Sequence, residues 1–248
     1  MNKYLIGIII GLFLIGVIYL LWSARNRSAY SIILAHDAPE SFRMETQLRQ
    51  QGNVKQAYEL RARNVRKLIR KTHRFFTDYS IPYWAESGVL LGIHNLNDVL
   101  PYDADEDVGV TQHGKEIIDK IYESLPQKGN RVYLTEYGLR LKKTDDKSLI
   151  YTLEDSETDV YCDIFYYELK NSELVQLHYT WPCRKCSWNK FKMPADYVFP
   201  LKEISCGSGD DTFVISVPSS PRNCLEYMYG PKLEPNYKWS DEKNDYIM

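Results

Sequence analysis

The chain has 248 residues, 44% of them hydrophobic and 26% charged, with a formal net charge of −2. This is the usual mixture of a globular protein, long enough for one domain with a real core once a terminal segment is set aside. The near-neutral balance excludes a global field that would draw the chain to nucleic acid.

The N-terminus departs from that average. After a tail of residues 1–3, the stretch YLIGIIIGLFLIGVIYLLW, residues 4–22, carries no charge. At 1.5 Å per residue it reaches about 28 Å, close to the hydrocarbon thickness of a bilayer. Tyr4, Tyr19 and Trp22 sit near its ends, where aromatic belts form. A cleaved signal peptide is the competing reading, but its apolar region would be shorter and would end in small residues. Residues 4–22 are therefore expected to be an uncleaved transmembrane signal anchor. Lys3 on one side and Arg25 and Arg27 on the other leave the orientation open. Residues 23–53 read as a polar stalk or ordered extension, followed by the folded domain at 54–248.

Along that domain, residues 54–79 place apolar side chains at Tyr58, Val65, Leu68, Ile69, Phe75 and Phe76, a helical spacing with a basic opposite face. Gly88 and Gly92 bracket a Val-Leu-Leu run, which predicts a close approach of backbone segments. A helix is expected at Lys115–Ser124, and strands within residues 131–144 and 158–169. Residues 219–230 read as a helix with a serine cap, Pro221 in the first turn and Gly230 as the stop. Strands and helices are mixed, so the fold class is α/β or α+β. The five cysteines are odd in number; Cys183 and Cys186 have the spacing of half a zinc site, but no second pair follows, and buried or unpaired thiols are the expectation.

The acidic row VLPYDADEDVGV, residues 99–110, carries the chemistry. In a strand, Asp103, Asp105 and Asp107 would face one side about 6.5–7 Å apart, with Glu106 on the other. Such carboxylates repel, and a divalent cation relieves them. A calcium loop begins the same way but needs Gly at its sixth and Glu at its twelfth position. Counted from Asp103, those positions hold Val108 and Gly114, which excludes it. Apolar flanks on both sides weigh against a merely solvated edge. Asp163, inside the apolar YCDIFYY, is a buried carboxylate that needs a partner or a metal. An Asp-x-Asp pair meeting a distant third carboxylate suits Mg²⁺-dependent phosphate chemistry.

These residues resemble the LicD/fukutin family signature, Gly-Thr-Leu-Leu-Gly, eight residues, then Pro-Trp-Asp-Asp-Asp-Ile-Asp. Gly88, Leu90, Leu91, Gly92, Pro101, Asp103, Asp105 and Asp107 match in register, with Tyr102 in place of Trp. YCDIFYY is similar to the later strand that supplies a further acidic ligand, here Asp163, and residues 213–239 resemble the family's C-terminal close. The resemblance implies a nucleotidyltransferase-like fold, a small mixed β-sheet flanked by helices. It implies an enzyme dependent on Mg²⁺ (or Mn²⁺), its metal held by Asp105, Asp107 and Asp163, with Asp103 as a further ligand or base. Such an enzyme moves phosphocholine, ribitol phosphate or a similar group from a CDP-activated donor to a glycan acceptor. Several eukaryotic members are single-pass type II proteins of the secretory pathway, so a catalytic domain in the Golgi or ER lumen is the expected location. Gly88 and Gly92 are the expected cofactor-binding glycines. The family's Arg three residues after the second Gly is Asn95 here, which leaves Arg140 and Lys142, with Lys143, as candidates for donor phosphate; His94 is expected to be structural. The rival class is a non-catalytic membrane protein that binds a glycan or a partner.

Overall fold

The structure, a computed structural model, describes residues 40–147, 149–158, 160–177, 190–233 and 238–247. The expected anchor at 4–22, the first part of the stalk, and Cys183 and Cys186 lie outside these residues. Among the described residues no helix is long and apolar enough to cross a membrane.

The end of the polar extension is helix α1 (Glu40–Gln50). Its one buried residue, Glu45, accepts from Arg49 at 2.9 Å and from Arg61 Nε at 3.0 Å, tying it to the next helix. That helix, α2 (Val54–Asp78), buries Ala57, Val65, Leu68, Ile69, Phe75 and Phe76. Spacings of three and four put them on one stripe, and burying each large side chain contributes about 1.5–3 kcal/mol.

The sheet elements follow in chain order: β1 (Tyr83–Ala85), helix α3 (Ser87–Leu96), β2 (Asp105–Thr111), helix α4 (Gln112–Ser124), β3 (Gln127–Lys128), β4 (Arg131–Leu134), β5 (Leu139–Lys143), β6 (Leu149–Asp155), β7 (Tyr161–Lys170), β8 (Glu173–Leu177) and β9 (Lys190–Pro194). Their order in the main sheet is β1-β2-β7-β6-β5-β4-β3, with β8 and β9 continuing from β7. Only β2 and β7 pair in parallel among the described strands. A separate hairpin, β10 (Lys202–Cys206) with β11 (Phe213–Val217), packs against α2 and β1. Helix α5 (Pro221–Tyr229) ends the core at Gly230, whose φ is +90°. A short hairpin, β12 (Lys238–Ser240) with β13 (Asp245–Ile247), closes the described chain.

The mixed sheet with flanking helices is the expected class, with local differences. The helix expected from Lys115 starts at Gln112. Residues 131–144 form two strands separated by a turn at Thr135–Tyr137 and Gly138, whose φ is +64°. Ser220 occupies the N-cap of α5, but its hydroxyl makes no capping hydrogen bond. Cys162, Cys206 and Cys224 are buried free thiols, as expected.

Alternation gives the sheet two different faces. One carries Val108, Val110, Cys162, Ile164, Leu153, Leu141 and Val132, all fully buried. Helices α2 and α4 close over it: Tyr83 stacks on Phe76 at 4.3 Å, and Gly114 sits against Val110. On the other face Trp84 lies against Gly109, where a Cβ would meet the indole at 2.3 Å, and Tyr167 and Phe199 pack around it. That aromatic wall covers one end of this face. The rest carries the polar residues of β2, β7, β6, β5 and β4.

The chain enters this polar face through a tight turn. A Cβ on Gly92 would lie 2.7 Å from the Asp98 carbonyl and 2.8 Å from the Leu100 nitrogen, so α3 and the turn before β2 touch backbone to backbone. Arg66 of α2 holds the same turn from outside, with paired bonds to Asp98 at 2.8 and 2.7 Å. Alanine at position 92 would gain about 1 kcal/mol in helix propensity but must displace backbone, and overpacking costs typically 1–3 kcal/mol. Gly92→Ala is therefore expected to lower the denaturant midpoint, corresponding to a net loss of up to about 2 kcal/mol, with unchanged slope. A raised midpoint would show that the turn yields freely.

Candidate functional site

Asp105 and Asp107 are two residues apart on β2 and face the same side. The parallel register sets Asp163 of β7 directly beside Asp107 and Tyr161 beside Asp105. One carboxylate oxygen from each of Asp105, Asp107 and Asp163 lies within 4.8 Å of the others. It is the only such acidic or His/Cys group of three among the described residues. Thr152 of β6, opposite Asp163 in register, donates its hydroxyl to that carboxylate at 2.9 Å.

The third aspartate of the row behaves differently from the expectation. The strand begins at Asp105, and Asp103 lies in the turn before it, where its N–H donates to the Leu100 carbonyl at 3.1 Å. Its carboxylate swings toward α3 and occupies the space a side chain on Gly88 would need, 2.3 Å from an ideal Cβ. Asp103 thus borders the triad but does not share its strand face. Glu106 points to the helix-covered face as expected, fully buried, and accepts from Thr72 at 2.7 Å.

Two charges 4.8 Å apart repel by roughly 3 kcal/mol at an effective dielectric of 20. The carboxyl groups respond accordingly. Burial, then Asp105, Glu86, Asp103 and Asp163, pushes Asp107 well above the usual carboxylate range. Burial raises Asp163 to about 6, against the opposing hydrogen bond from Thr152. Burial and then Asp105 raise Asp103 to about 7. Oxygen-only, mutually repelling and partly open, the triad fits a hard divalent cation such as Mg²⁺ or Mn²⁺.

The register extends the site across the sheet. Asp107, Asp163, Thr152, Lys142 and Arg131 form one row over five strands; Asp105, Tyr161, Glu154, Arg140 and Tyr133 form the next. Strands are spaced about 4.8 Å apart, so the cations of β5 stand about 10 Å from Asp163. Glu154 gathers them: Arg131 bonds it twice at 3.0 Å, with Arg140 at 3.6 Å and Lys142 at 3.9 Å. Lys142 also acts on Asp163, opposing part of the upward push that burial gives its carboxyl. Lys143 turns the other way, over the rings of Tyr122 and Tyr151 at 5.5 and 5.8 Å, and does not join them.

Of the remaining expected residues, Gly88 and Gly92 serve close packing, and no phosphate cradle is needed to explain them. Asn95 is a clasp: its Nδ2 donates to the Leu233 carbonyl at 2.6 Å, tying α3 to the segment after α5. His94 is exposed. Sequence reading passed over Glu86, Thr152 and Tyr161. Glu86 is buried between β1 and α3, and Tyr161, beside Asp105 in register, has its phenol pushed up to about 12, chiefly by burial and then by Asp105. An acid inside the apolar run YWAES was the one available signal for Glu86. Thr152 and Tyr161 depend on strand register, which the sequence does not display.

The profile described as LicD/FKTN/FKRP, nucleotidyltransferase domain, matches residues 80–210, which contain every strand of the acidic face. An uncharacterised protein of Rickettsia prowazekii is 25% identical over 139 residues, 55% of this chain and 52% of the relative. An uncharacterised protein of Rickettsia typhi is 32% identical over 74 residues, 30% of this chain and 24% of the relative. The chain therefore spans about half the length of one of these relatives and a quarter of the other. The matched domain covers more than half of the chain and carries its acidic face: the protein belongs to the LicD/FKTN/FKRP family, whose members carry a nucleotidyltransferase domain.

Proposed function

We propose that this protein is a membrane-anchored, metal-dependent transferase that moves a phospho-group, such as phosphocholine or ribitol phosphate, from a CDP-activated donor to a glycan hydroxyl. The observation that carries the reading is the convergence of Asp105, Asp107 and Asp163 within 4.8 Å on a sheet face that turns basic two strands away. The cytidine donor and glycan acceptor follow from the family resemblance, and the anchor from residues 4–22.

In this reading Asp105, Asp107 and Asp163 hold one or two Mg²⁺ ions, which neutralise donor phosphate charge when bound. Thr152 keeps Asp163 turned toward its neighbours, a role for its 2.9 Å hydrogen bond. Lys142 and Arg140 bind the donor's phosphates, exchanging part of their contact with Glu154 for the substrate. The acceptor hydroxyl attacks the transferred phosphorus in line, the bond from that phosphorus to the nucleotide breaks, and CMP departs. Asp103, at the rim of the triad, takes the hydroxyl proton.

Three outcomes test this. Asp105→Asn and Asp107→Asn should each lower CMP release from CDP-activated donors by more than about 100-fold while circular dichroism stays unchanged. Normal turnover in either variant would contradict the assignment. Lys142→Ala should weaken donor binding by about 10-fold or more, as expected for a lost charged contact, and leave the acceptor KM unaltered; a change confined to the acceptor would reassign the basic row.

The third outcome concerns pH. The raised carboxyls bind protons in the folded protein that the unfolded chain has already released, so the metal-free protein should lose stability as pH rises from about 4 to 7. Mn²⁺ affinity should rise over the upper part of that window, since the ligands must deprotonate. A pH-independent affinity between pH 5.5 and 7.5, followed by calorimetry, would count against ligation by this triad.

A further inference from the structure

Glu86 stands on the floor of the acidic face. Its backbone N–H donates to the Asp107 carbonyl at 2.9 Å, extending by one residue the register that sets Ala85 opposite Val108. Opposed residues of antiparallel strands project to the same face, so Glu86 and Asp107 share one. Glu86 is only 3% exposed. Its Oε1 accepts the Tyr167 hydroxyl, and Tyr167 is wedged against Trp84 at 5.3 Å and Phe191 at 6.4 Å. Its Oε2 is buried and has no hydrogen-bond partner. Among the described residues only Tyr167 engages its carboxylate, and its charge in turn helps push up Asp107, another anion.

A buried polar atom without a partner is uncommon in native proteins and points to a water or ion that completes it. A second carboxylate on the same face as Asp107, near enough to push its carboxyl up, makes little sense for an empty acidic pocket, because it adds to the repulsion. It makes sense beside a cation, where it adds attraction, and where the cation's hydration shell supplies the missing donor. Outer-shell acceptors of this kind orient the ligands and tune affinity, and their loss typically weakens metal binding 10–100-fold.

We propose that Glu86 is a fourth anionic group of the metal centre, acting from outside the ligand set, with Tyr167 fixing the direction of its carboxylate. The inference rests on the reading of Asp105, Asp107 and Asp163 as metal ligands. Glu86 is a positioning residue, and its influence runs through cation affinity.

The test is a Mn²⁺ titration of the metal-free full-length protein in detergent, with free Mn²⁺ read by electron paramagnetic resonance and thermal unfolding measured in parallel. Glu86→Gln should weaken Mn²⁺ binding about 10–100-fold. It should leave the melting temperature of the metal-free protein unchanged or higher, because a like charge beside Asp107 is gone. Tyr167→Phe should shift affinity in the same direction by a smaller factor. Wild-type affinity in Glu86→Gln would overturn the proposal, as would a lower metal-free melting temperature with affinity intact, the signature of a merely structural residue. If Glu86→Gln fails to fold, Tyr167→Phe decides, and unaltered affinity there overturns it. A wild-type protein that binds no Mn²⁺ would remove the metal reading itself, a failure distinct from loss of the Glu86 effect alone.

Discussion

The parallel pairing of β2 with β7 is the constraint on which the rest of the molecule turns. It forces Asp107 and Asp163 side by side and, with Asp105 two residues away, concentrates three carboxylates within 4.8 Å. Nothing in strand propensity favours that arrangement. It persists because the opposite face of the same two strands, with Val108, Val110, Cys162 and Ile164, is buried under α2 and α4. One residue of slip would send the aspartates into the core and the valines into solvent, so hydrophobic burial holds the register that electrostatics opposes.

Around that pairing, small residues and specific contacts set the approach of the chain. Gly92 lets α3 touch the turn at 98–100, and Arg66 grips the turn through Asp98. Gly88 makes room for Asp103 at the rim. Gly109 lets Trp84 lie flat, and the indole walls off the apolar end of the face. Beyond the acids the face becomes basic, where Glu154 gathers Arg131, Arg140 and Lys142. The gradient from acidic to basic runs across the strands over about 10 Å.

Much of this was legible in the sequence, for identifiable reasons. The amphipathic stripe from Val54 and the alternation around Asp163 follow from the side-chain periods of helix and strand. The two glycines announced a close approach, and they make one. Asp103 was misplaced because period-two counting assumes a strand already under way, whereas Pro101 and the turn delay it to Asp105. The partners of the triad were hidden for a different reason. Thr152 and Tyr161 reach it only through inter-strand register, and Glu86 only through the β1–β2 pairing, none of which is local in sequence. Asn95 shows the converse: a position where the family resemblance suggests a phosphate contact is spent here on a hydrogen bond to the Leu233 carbonyl, while Arg140 and Lys142 of β5 lie in the rows of the acidic face.

The most direct measurement of the central claim is the anomalous scattering of Mn²⁺ in crystals of the protein. A peak is expected among Asp105, Asp107 and Asp163, at about 2.1–2.3 Å from one oxygen of each. A Mn²⁺-saturated crystal with no peak at that position, or with its peak held by other residues, would contradict it.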